Sequence, residues 1–180
     1  DYDTLKERNP RLVYCSITGY GQDGPYWGMP GHDVNYVGFG GVLGVTGPKG
    51  GPPAMPYNFI GDFAAGGFHA AVAILAALRA RDLTGSGQHI DLSITDGVVY
   101  MTAAMSTEYF GQGVIPEPGA NRLNGGMPYA AAYETKDGRY LTVGCVEPWF
   151  YAELCRILGR EDLAPYQYDE GEKRKEAFAF

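Results

Sequence analysis

The chain is organised around two short stretches, Pro30-Gly31-His32-Asp33-Val34-Asn35-Tyr36 and Asn58-Phe59-Ile60-Gly61-Asp62-Phe63. Each stretch closes a loop rich in glycine and proline, and each predicts the start of a helix. The first places an imidazole, His32, at its helix start, and the second places a carboxylate, Asp62. Two acid/base groups at neighbouring helix starts would suit proton transfer to and from opposite sides of one carbon atom.

The pattern around these stretches predicts an α/β fold. β-Branched and apolar residues indicate a buried strand at 11–18, and a short strand is expected at 88–93, after a turn at 85–87. Helices are expected at 33–45, from Asp62 to about Arg81, and at 96–109, with a loop at 19–31. The helix that Asp62 is expected to cap is apolar on nearly every side, which predicts a central position for it.

A region of different character follows. Residues 111–128 have the composition of a linker, and residues 132–135 and 139–146 predict a β-hairpin. A helix is expected to run from Pro148 to Leu158, with Gly159 at its C-terminal cap. The sequence therefore predicts part of a large α/β domain at 1–110, a linker at 111–128, and the start of a small α+β domain at 129–180.

Composition argues against several classes of function. The net charge of −7 and the lack of a basic stripe argue against binding to nucleic acid. The longest apolar stretch, residues 70–78, is too short to span a bilayer, so no membrane partner is expected. The three cysteines and three histidines share no ligand spacing, so no metal site is expected. A Gly-x-Gly-x-x-Gly match at 19–24 follows a strand, but the proline and glycines after it leave no helix start for dinucleotide phosphates.

Each candidate residue also has a purely structural explanation. Asp62 and Asp33 stand where helix caps are needed, and an aspartate at such a place often does no more than cap. His32 alone is compatible with a loop histidine bonded to backbone. Tyr36 lies one turn further on and is expected to present its hydroxyl to the same loop. Glu147 ends the second hairpin strand, where it either caps the next helix or meets a partner surface.

Taken together, these residues resemble the α-methylacyl-CoA racemases of the family III CoA-transferase (CaiB/BaiF) superfamily. The similarity runs in order along nearly the whole chain. The stretches that carry it are Asn9-Pro10-Arg11-Leu12-Val13-Tyr14, Gly19-Tyr20-Gly21-Gln22-Asp23-Gly24-Pro25, Gly31-His32-Asp33-Val34-Asn35-Tyr36, Gly61-Asp62-Phe63, Gly87-Gln88, Asp96-Gly97, Gly119-Ala120-Asn121, Tyr133-Glu134-Thr135, Asp137-Gly138-Arg139-Tyr140 and Glu147-Pro148.

The resemblance implies a partial CaiB/BaiF-type fold with a Rossmann-like large domain, and a two-base proton transfer at the carbon α to a CoA thioester. His32 and Asp62 would be the two bases, and Glu147 would pair with His32. The Asp33 backbone N–H and the Tyr36 hydroxyl would lie near the thioester oxygen. No cofactor is expected, because CoA belongs to the acyl-CoA substrate. The family forms an interlocked homodimer, in which the other subunit can supply Glu147.

Two other interpretations stay open. In CoA-transferases of the same superfamily, the carboxylate at the position of Asp62 is a nucleophile, although these enzymes typically lack the histidine. Family members are also markedly longer, so the chain is expected to be a fragment, and a non-catalytic fragment is the third interpretation. The sequence does not specify the acyl group. The expected compartment is the cytoplasm in a bacterium, and the peroxisome or mitochondrion in a eukaryote.

Overall fold

A computed structural model describes residues 1–179, which form two compact units. The first unit contains residues 1–44 and 54–115, and the second contains residues 45–53 and 116–179. The domain limits expected from the sequence, at 1–110, 111–128 and 129–180, refer to domains of the whole protein, and they stay a prediction. His32 and Asp62 lie in the first unit, whereas Glu147 lies in the second.

The first unit contains a parallel pair of strands with helices before, between and after them. Strand β1 (Val13–Thr18) pairs with β2 (Gln88–Ser93), in a register that joins Val13 to Gln88 and Thr18 to Ser93. The helices are α1 (Tyr2–Arg8), α2 (Asp33–Phe39), α3 (Phe59–Thr84), α4 (Ile94–Met101) and α5 (Ala103–Gln112), with a 3₁₀ turn at Val42–Gly44. A long crossover that includes α2 and α3 joins the two strands, as parallel pairing requires.

Small residues let α3 and α4 pack closely. The core of the first unit is formed by Val37, Val42, Ala65 and Val98, all of which are buried. A Cβ atom on Gly97 would lie 2.7 Å from the carbonyl oxygen of Ala65, so a larger residue there would push the two helices apart. This contact fixes the first turns of α3 against the rest of the unit.

Helix α3 begins and ends outside the predicted limits. Its N-cap is Asn58 rather than Asp62, and its last residue is Thr84, followed by Gly85 at φ +79°. Residues Phe59–Phe68 adopt a π-helix, and His69–Thr84 continue as a regular α-helix. The prediction of Asp62 as the cap was wrong because Asn58 and Asp62 are both favourable N-cap residues.

The predicted central position of α3 was also wrong. Only Ala70 and Ala77 of its α-helical part are buried, and Phe63, Phe68 and Leu75 are more than 60% exposed. The expectation of no membrane-spanning segment counted residues 70–78 alone, whereas α3 is a continuous helix of 26 residues. By length and composition α3 could cross a membrane, which is weak evidence because core helices share these properties.

Other boundaries differ in smaller ways. Helix α2 ends at Phe39, where the glycine-rich residues 40–44 favour a turn over a continued helix. The helix predicted at 96–109 is two helices, α4 and α5, which meet at Thr102. The hydroxyl of Thr102 donates to the carbonyl of Val99 at 2.7 Å and so satisfies a group at the end of α4.

The second unit packs a helix and a 3₁₀ turn beside a hairpin. Strands β3 (Ala130–Glu134) and β4 (Tyr140–Gly144) are antiparallel, and Gly138 takes φ +76° in the turn. They are followed by α6 (Pro148–Ile157), a 3₁₀ turn (Glu161–Tyr166) and α7 (Glu172–Ala179). The buried core consists of Tyr129, Tyr151, Cys155 and Leu163. All three cysteines of the chain are free thiols.

Candidate active site

His32 is the N-cap residue of α2 and its side chain is exposed. Its backbone is extended, with φ −130° and ψ 175°, and its N–H donates to the side-chain Oδ1 of Asn35 at 3.0 Å. An asparagine three residues into a helix can return to the N-cap in this way, as glutamate and glutamine do in a capping box. Asn35 therefore fixes the backbone from which the imidazole projects.

Asp62 is the fourth residue of α3, and its carboxylate is exposed. In a regular α-helix its N–H would donate to the carbonyl of Asn58, four residues earlier. Here the N–H of Phe63 donates to the carbonyl of Asn58 instead, at 3.3 Å. A hydrogen bond to the residue five positions earlier is typical of a π-helix. The N–H of Asp62 donates instead to Oδ2 of Asp33 at 2.8 Å.

Asp33 joins the two helix starts. It is the first residue of α2, it is only 6% exposed, and its carboxylate reaches the backbone of α3. A Cβ atom on Gly61 would lie 2.7 Å from Asp33 Oδ2, so glycine permits this close approach. The residue next to His32 in the chain thus bonds to the backbone of Asp62, and the two predicted bases lie at adjoining helix starts.

Tyr36 supports the loop that leads to His32. The ring is 9% exposed, and its hydroxyl donates to the carbonyl of Gly31 at 2.5 Å. Burial raises the pKa of Tyr36 above its usual range, and Tyr20 and the carboxylate of Asp62 add to this effect. The phenol therefore stays protonated as a donor. Its expected contact with a thioester stays a prediction.

Glu147 belongs to the second unit. It is the exposed N-cap residue of α6, directly before Pro148, as the sequence predicts. Its expected pairing with His32 stays a prediction.

The remaining histidines have other neighbours. The ring of His69 is half-buried and lies 5.5 Å from that of Tyr100. His89 is exposed; its Nε2 lies 3.0 Å from the hydroxyl of Ser16, and its ring stacks on Tyr2. Within residues 1–179, no cluster of histidine, cysteine and acidic side chains could hold a metal ion. After β1 the chain forms turns, and its next helix begins at Asp33, beyond the glycine-rich match at 19–24.

Sequence reasoning missed two side-chain contacts of this site, that of Asn35 and that of Asp33. Asn35 could have been found, because an amide side chain three residues after a helix cap is a local signal. The carboxylate of Asp33 could not, because its partner lies 29 residues away. Asp33 was expected to act through its own N–H, whereas the structure shows in addition that its side chain bonds to Asp62.

Comparison with known proteins places the chain in the family that its sequence motifs resemble. The sequence pattern of CoA-transferase family III matches residues 1–179. The chain is 38% identical to human α-methylacyl-CoA racemase, over 98% of this chain and 47% of that protein. It is 36% identical to a cinnamoyl-CoA:phenyllactate CoA-transferase of Clostridium sporogenes, over 91% of this chain and 40% of that protein.

A crystal structure of a CaiB/BaiF family protein from Brucella suis superimposes with a TM-score of 0.72 at 33% identity. The overlap covers 92% of this chain and 43% of that one, so the chain spans about half the length of the relatives it matches, or less. The overlap confirms the predicted α/β fold and its partial character. Over its described length, this chain belongs to CoA-transferase family III.

Proposed function

We propose that the full-length protein interconverts (R)- and (S)-2-methylacyl-CoA thioesters by a two-base proton transfer. The observation that carries this proposal is the pairing of two exposed bases, His32 and Asp62, at helix starts joined by the Asp33 carboxylate. The 38% identity to a racemase supports it.

The reaction divides into two proton transfers. The imidazole of His32 removes the α-proton, and the C–H electron pair forms the enolate of the thioester. The carboxylic acid of Asp62 then donates a proton to the opposite face of the same carbon, which inverts its configuration. The reverse reaction uses the two groups in exchanged roles, and no cofactor is needed because the thioester itself accepts the electron pair.

Stabilisation of the enolate oxygen is the main energetic demand on such a site. A thioester α-proton is too weakly acidic for a free imidazole or carboxylate to remove at neutral pH. The N–H of Asp33, in the first turn of α2, is the proposed donor to this oxygen. One preorganised donor is worth about 3 kcal/mol of transition-state stabilisation.

Glu147 is the proposed partner of His32, which it would orient and whose proton it would hold. We further propose that the protein forms a homodimer, in which the partner subunit can supply this carboxylate.

A second candidate function is CoA transfer between carboxylic acids. The 36% identity to a CoA-transferase supports this alternative. The Asp62 carboxylate would then attack the thioester carbonyl, release the CoA thiolate and form a mixed anhydride. The exposed Asp62 carboxylate fits either role. The exposed imidazole of His32, at the adjoining helix start, takes part in the proposed proton transfer and has no assigned step in the CoA transfer.

The test is deuterium exchange by the full-length protein. Single enantiomers of a 2-methylacyl-CoA are incubated in D₂O, and α-deuterium and optical purity are followed. We expect the wild-type protein to incorporate deuterium and to lose optical purity. Loss of optical purity is expected to be abolished in His32→Ala. It is expected to persist in the control His89→Ala, which changes another exposed histidine of the same unit. If His32→Ala keeps full racemase activity, the two-base scheme is wrong. If CoA instead moves to an added carboxylate without α-exchange, the transferase alternative is correct.

A further inference from the structure

Asp33 has the position of a helix-capping residue, but it does not act as one. An aspartate that caps bonds to N–H groups of its own helix, two or three residues later. In α2 the N-cap is His32, and the carboxylate of Asp33 bonds to the N–H of Asp62 in another helix. The side chain of Asp33 is almost completely buried, so this bond is partly shielded from water.

The two oxygens of the Asp33 carboxylate differ in their surroundings. Oδ2 accepts from Asp62 and lies where a Cβ atom on residue 61 would collide with it. Oδ1 is buried and has no hydrogen-bond partner within residues 1–179. Burial of a carboxylate with one oxygen unpaired lowers stability. A contribution of this group to function would explain why such a costly arrangement is kept.

We propose that Asp33 is a positioning residue: its side chain holds the first turn of α3 in the π-helical form and thereby sets the position of the Asp62 carboxylate relative to His32. This inference rests on the proposed function of the same site. Without Oδ2 as acceptor, the N–H of Asp62 returns to the carbonyl of Asn58, as in a regular α-helix. That change rotates Asp62 about the helix axis and moves its carboxylate.

The first experiment measures amide hydrogen exchange of the full-length protein and requires no substrate. In Asp33→Ala we expect the amides of residues 59–66 to exchange at a rate different from wild type, because the bond at Asp62 is lost. Ser93→Ala is the matched control. The hydroxyl of Ser93 is also buried and accepts from a backbone N–H, that of Asp96, but it lies at the start of α4. Unchanged exchange at 59–66 in Asp33→Ala would overturn the proposal.

The second experiment compares deuterium exchange at one face of the α-carbon with inversion, which requires both faces. Displacement of Asp62 by about 1 Å is expected to slow racemisation roughly 100-fold, mainly in kcat. The enantiomer whose proton faces His32 is still expected to exchange with deuterium while keeping its configuration. The ratio of exchange to inversion therefore rises at least about tenfold in Asp33→Ala. Ser93→Ala keeps the wild-type ratio. A parallel fall of exchange and inversion in Asp33→Ala would overturn the proposal.

Two further variants test the same proposal if Asp33→Ala does not fold. Asp33→Asn keeps an oxygen acceptor and is expected to recover most of the lost racemisation. Gly61→Ala displaces the Asp33 carboxylate from the other side and is expected to raise the same ratio. An exchange-to-inversion ratio in Gly61→Ala equal to that of wild type would contradict the proposal.

The outcome of this test and that of the proposed function are distinguishable. If the wild-type protein transfers CoA without α-exchange, the proposed racemase function is wrong. The Asp33 inference is then decided by the transfer rate and the amide exchange. A transfer rate that falls in Asp33→Ala and recovers in Asp33→Asn supports it, and an unchanged rate overturns it.

Discussion

At the scale of single residues, burial gives two aspartates of the site different roles. Asp62 is exposed and available to a substrate, whereas Asp33 is buried and engaged with the backbone of α3. Tyr36 resembles Asp33 in this respect, because its buried hydroxyl holds the Gly31 carbonyl before His32. The buried groups thus bond to the backbone beside the two exposed groups to which we assign the proton transfer.

A second buried tyrosine leads to a pH prediction. Burial, together with the nearby Cys155, raises the pKa of Tyr151 to about 12. Its unfolded-state pKa is near 10, so the unfolded chain ionises first as the pH rises. The contribution of the protonated Tyr151 to the free energy of unfolding is therefore complete below about pH 10, and it is lost as the pH rises to about 12. We expect this part of the alkaline loss of stability to disappear in Tyr151→Phe.

The measurement is the urea midpoint of unfolding between pH 9 and 12, followed by near-ultraviolet circular dichroism. Tyr140→Phe, which changes an exposed tyrosine of β4, serves as the control and keeps the wild-type profile. An identical pH profile for Tyr151→Phe and wild type would contradict the prediction.

Single residues also show how much of the site the sequence could predict. His32, Asp62 and Glu147 were identified as candidates because each stands at a helix start that local residues indicate. The bond from Asp33 to Asp62 joins residues 29 positions apart, and no local pattern encodes such a contact. Its only trace in the sequence is Gly61, whose missing side chain makes room for the carboxylate.

At the scale of elements, the parallel pairing of β1 and β2 depends on Gly87. Its N–H donates to the carbonyl of Pro10 at 2.8 Å, and a Cβ atom there would overlap the carbonyl of Leu12. We expect Gly87→Ala to lower the free energy of unfolding by about 2–4 kcal/mol, because the start of β2 must move away from β1. Urea unfolding of the full-length protein measures the change.

The neighbouring variant Ser86→Ala changes an exposed side chain and is expected to stay within about 0.5 kcal/mol of wild type. Equal stabilities of Gly87→Ala and Ser86→Ala would show that the strand pairing tolerates a side chain at this position.

Elements also show the limit of sequence periodicity. The strand at 88–93 was predicted with the observed limits, and the hairpin and α6 were predicted to within two residues, because turns, glycines and Pro148 mark their ends. The π-helical start of α3 was not predicted. Periodicity assumes 3.6 residues per turn. In the wider turns at 59–68 the N–H of Asp62 bonds to Asp33, an acceptor in another helix that no periodic pattern indicates.

At the scale of the whole molecule, one surface of the first unit is unusually apolar. Phe59, Phe63, Phe68 and Leu75 of α3 are each more than 60% exposed. Folded proteins rarely leave such a patch in contact with water. Since the chain spans 47% of the human racemase that it resembles, we expect other parts of the full-length protein, or a second subunit of the proposed dimer, to cover this surface.

The prediction concerns dye binding. The 180-residue chain is expected to bind an apolar fluorescent dye and to self-associate, whereas the full-length protein binds little. Replacing Phe63 and Phe68 by serine is expected to reduce dye binding by the 180-residue chain. Equal dye binding by the 180-residue chain and the full-length protein would show that the patch stays exposed.

The π-helical start of α3 makes the site sensitive to chain length as well as to residue type. A π-turn holds one more residue than an α-turn, so removal of one residue between 63 and 68 would allow an unbroken α-helix. The N–H of Asp62 would then find its partner within α3, and Asp33 would lose its only bond to that helix among those described. A single-codon deletion could therefore separate the two proposed bases while leaving His32, Asp33 and Asp62 unchanged.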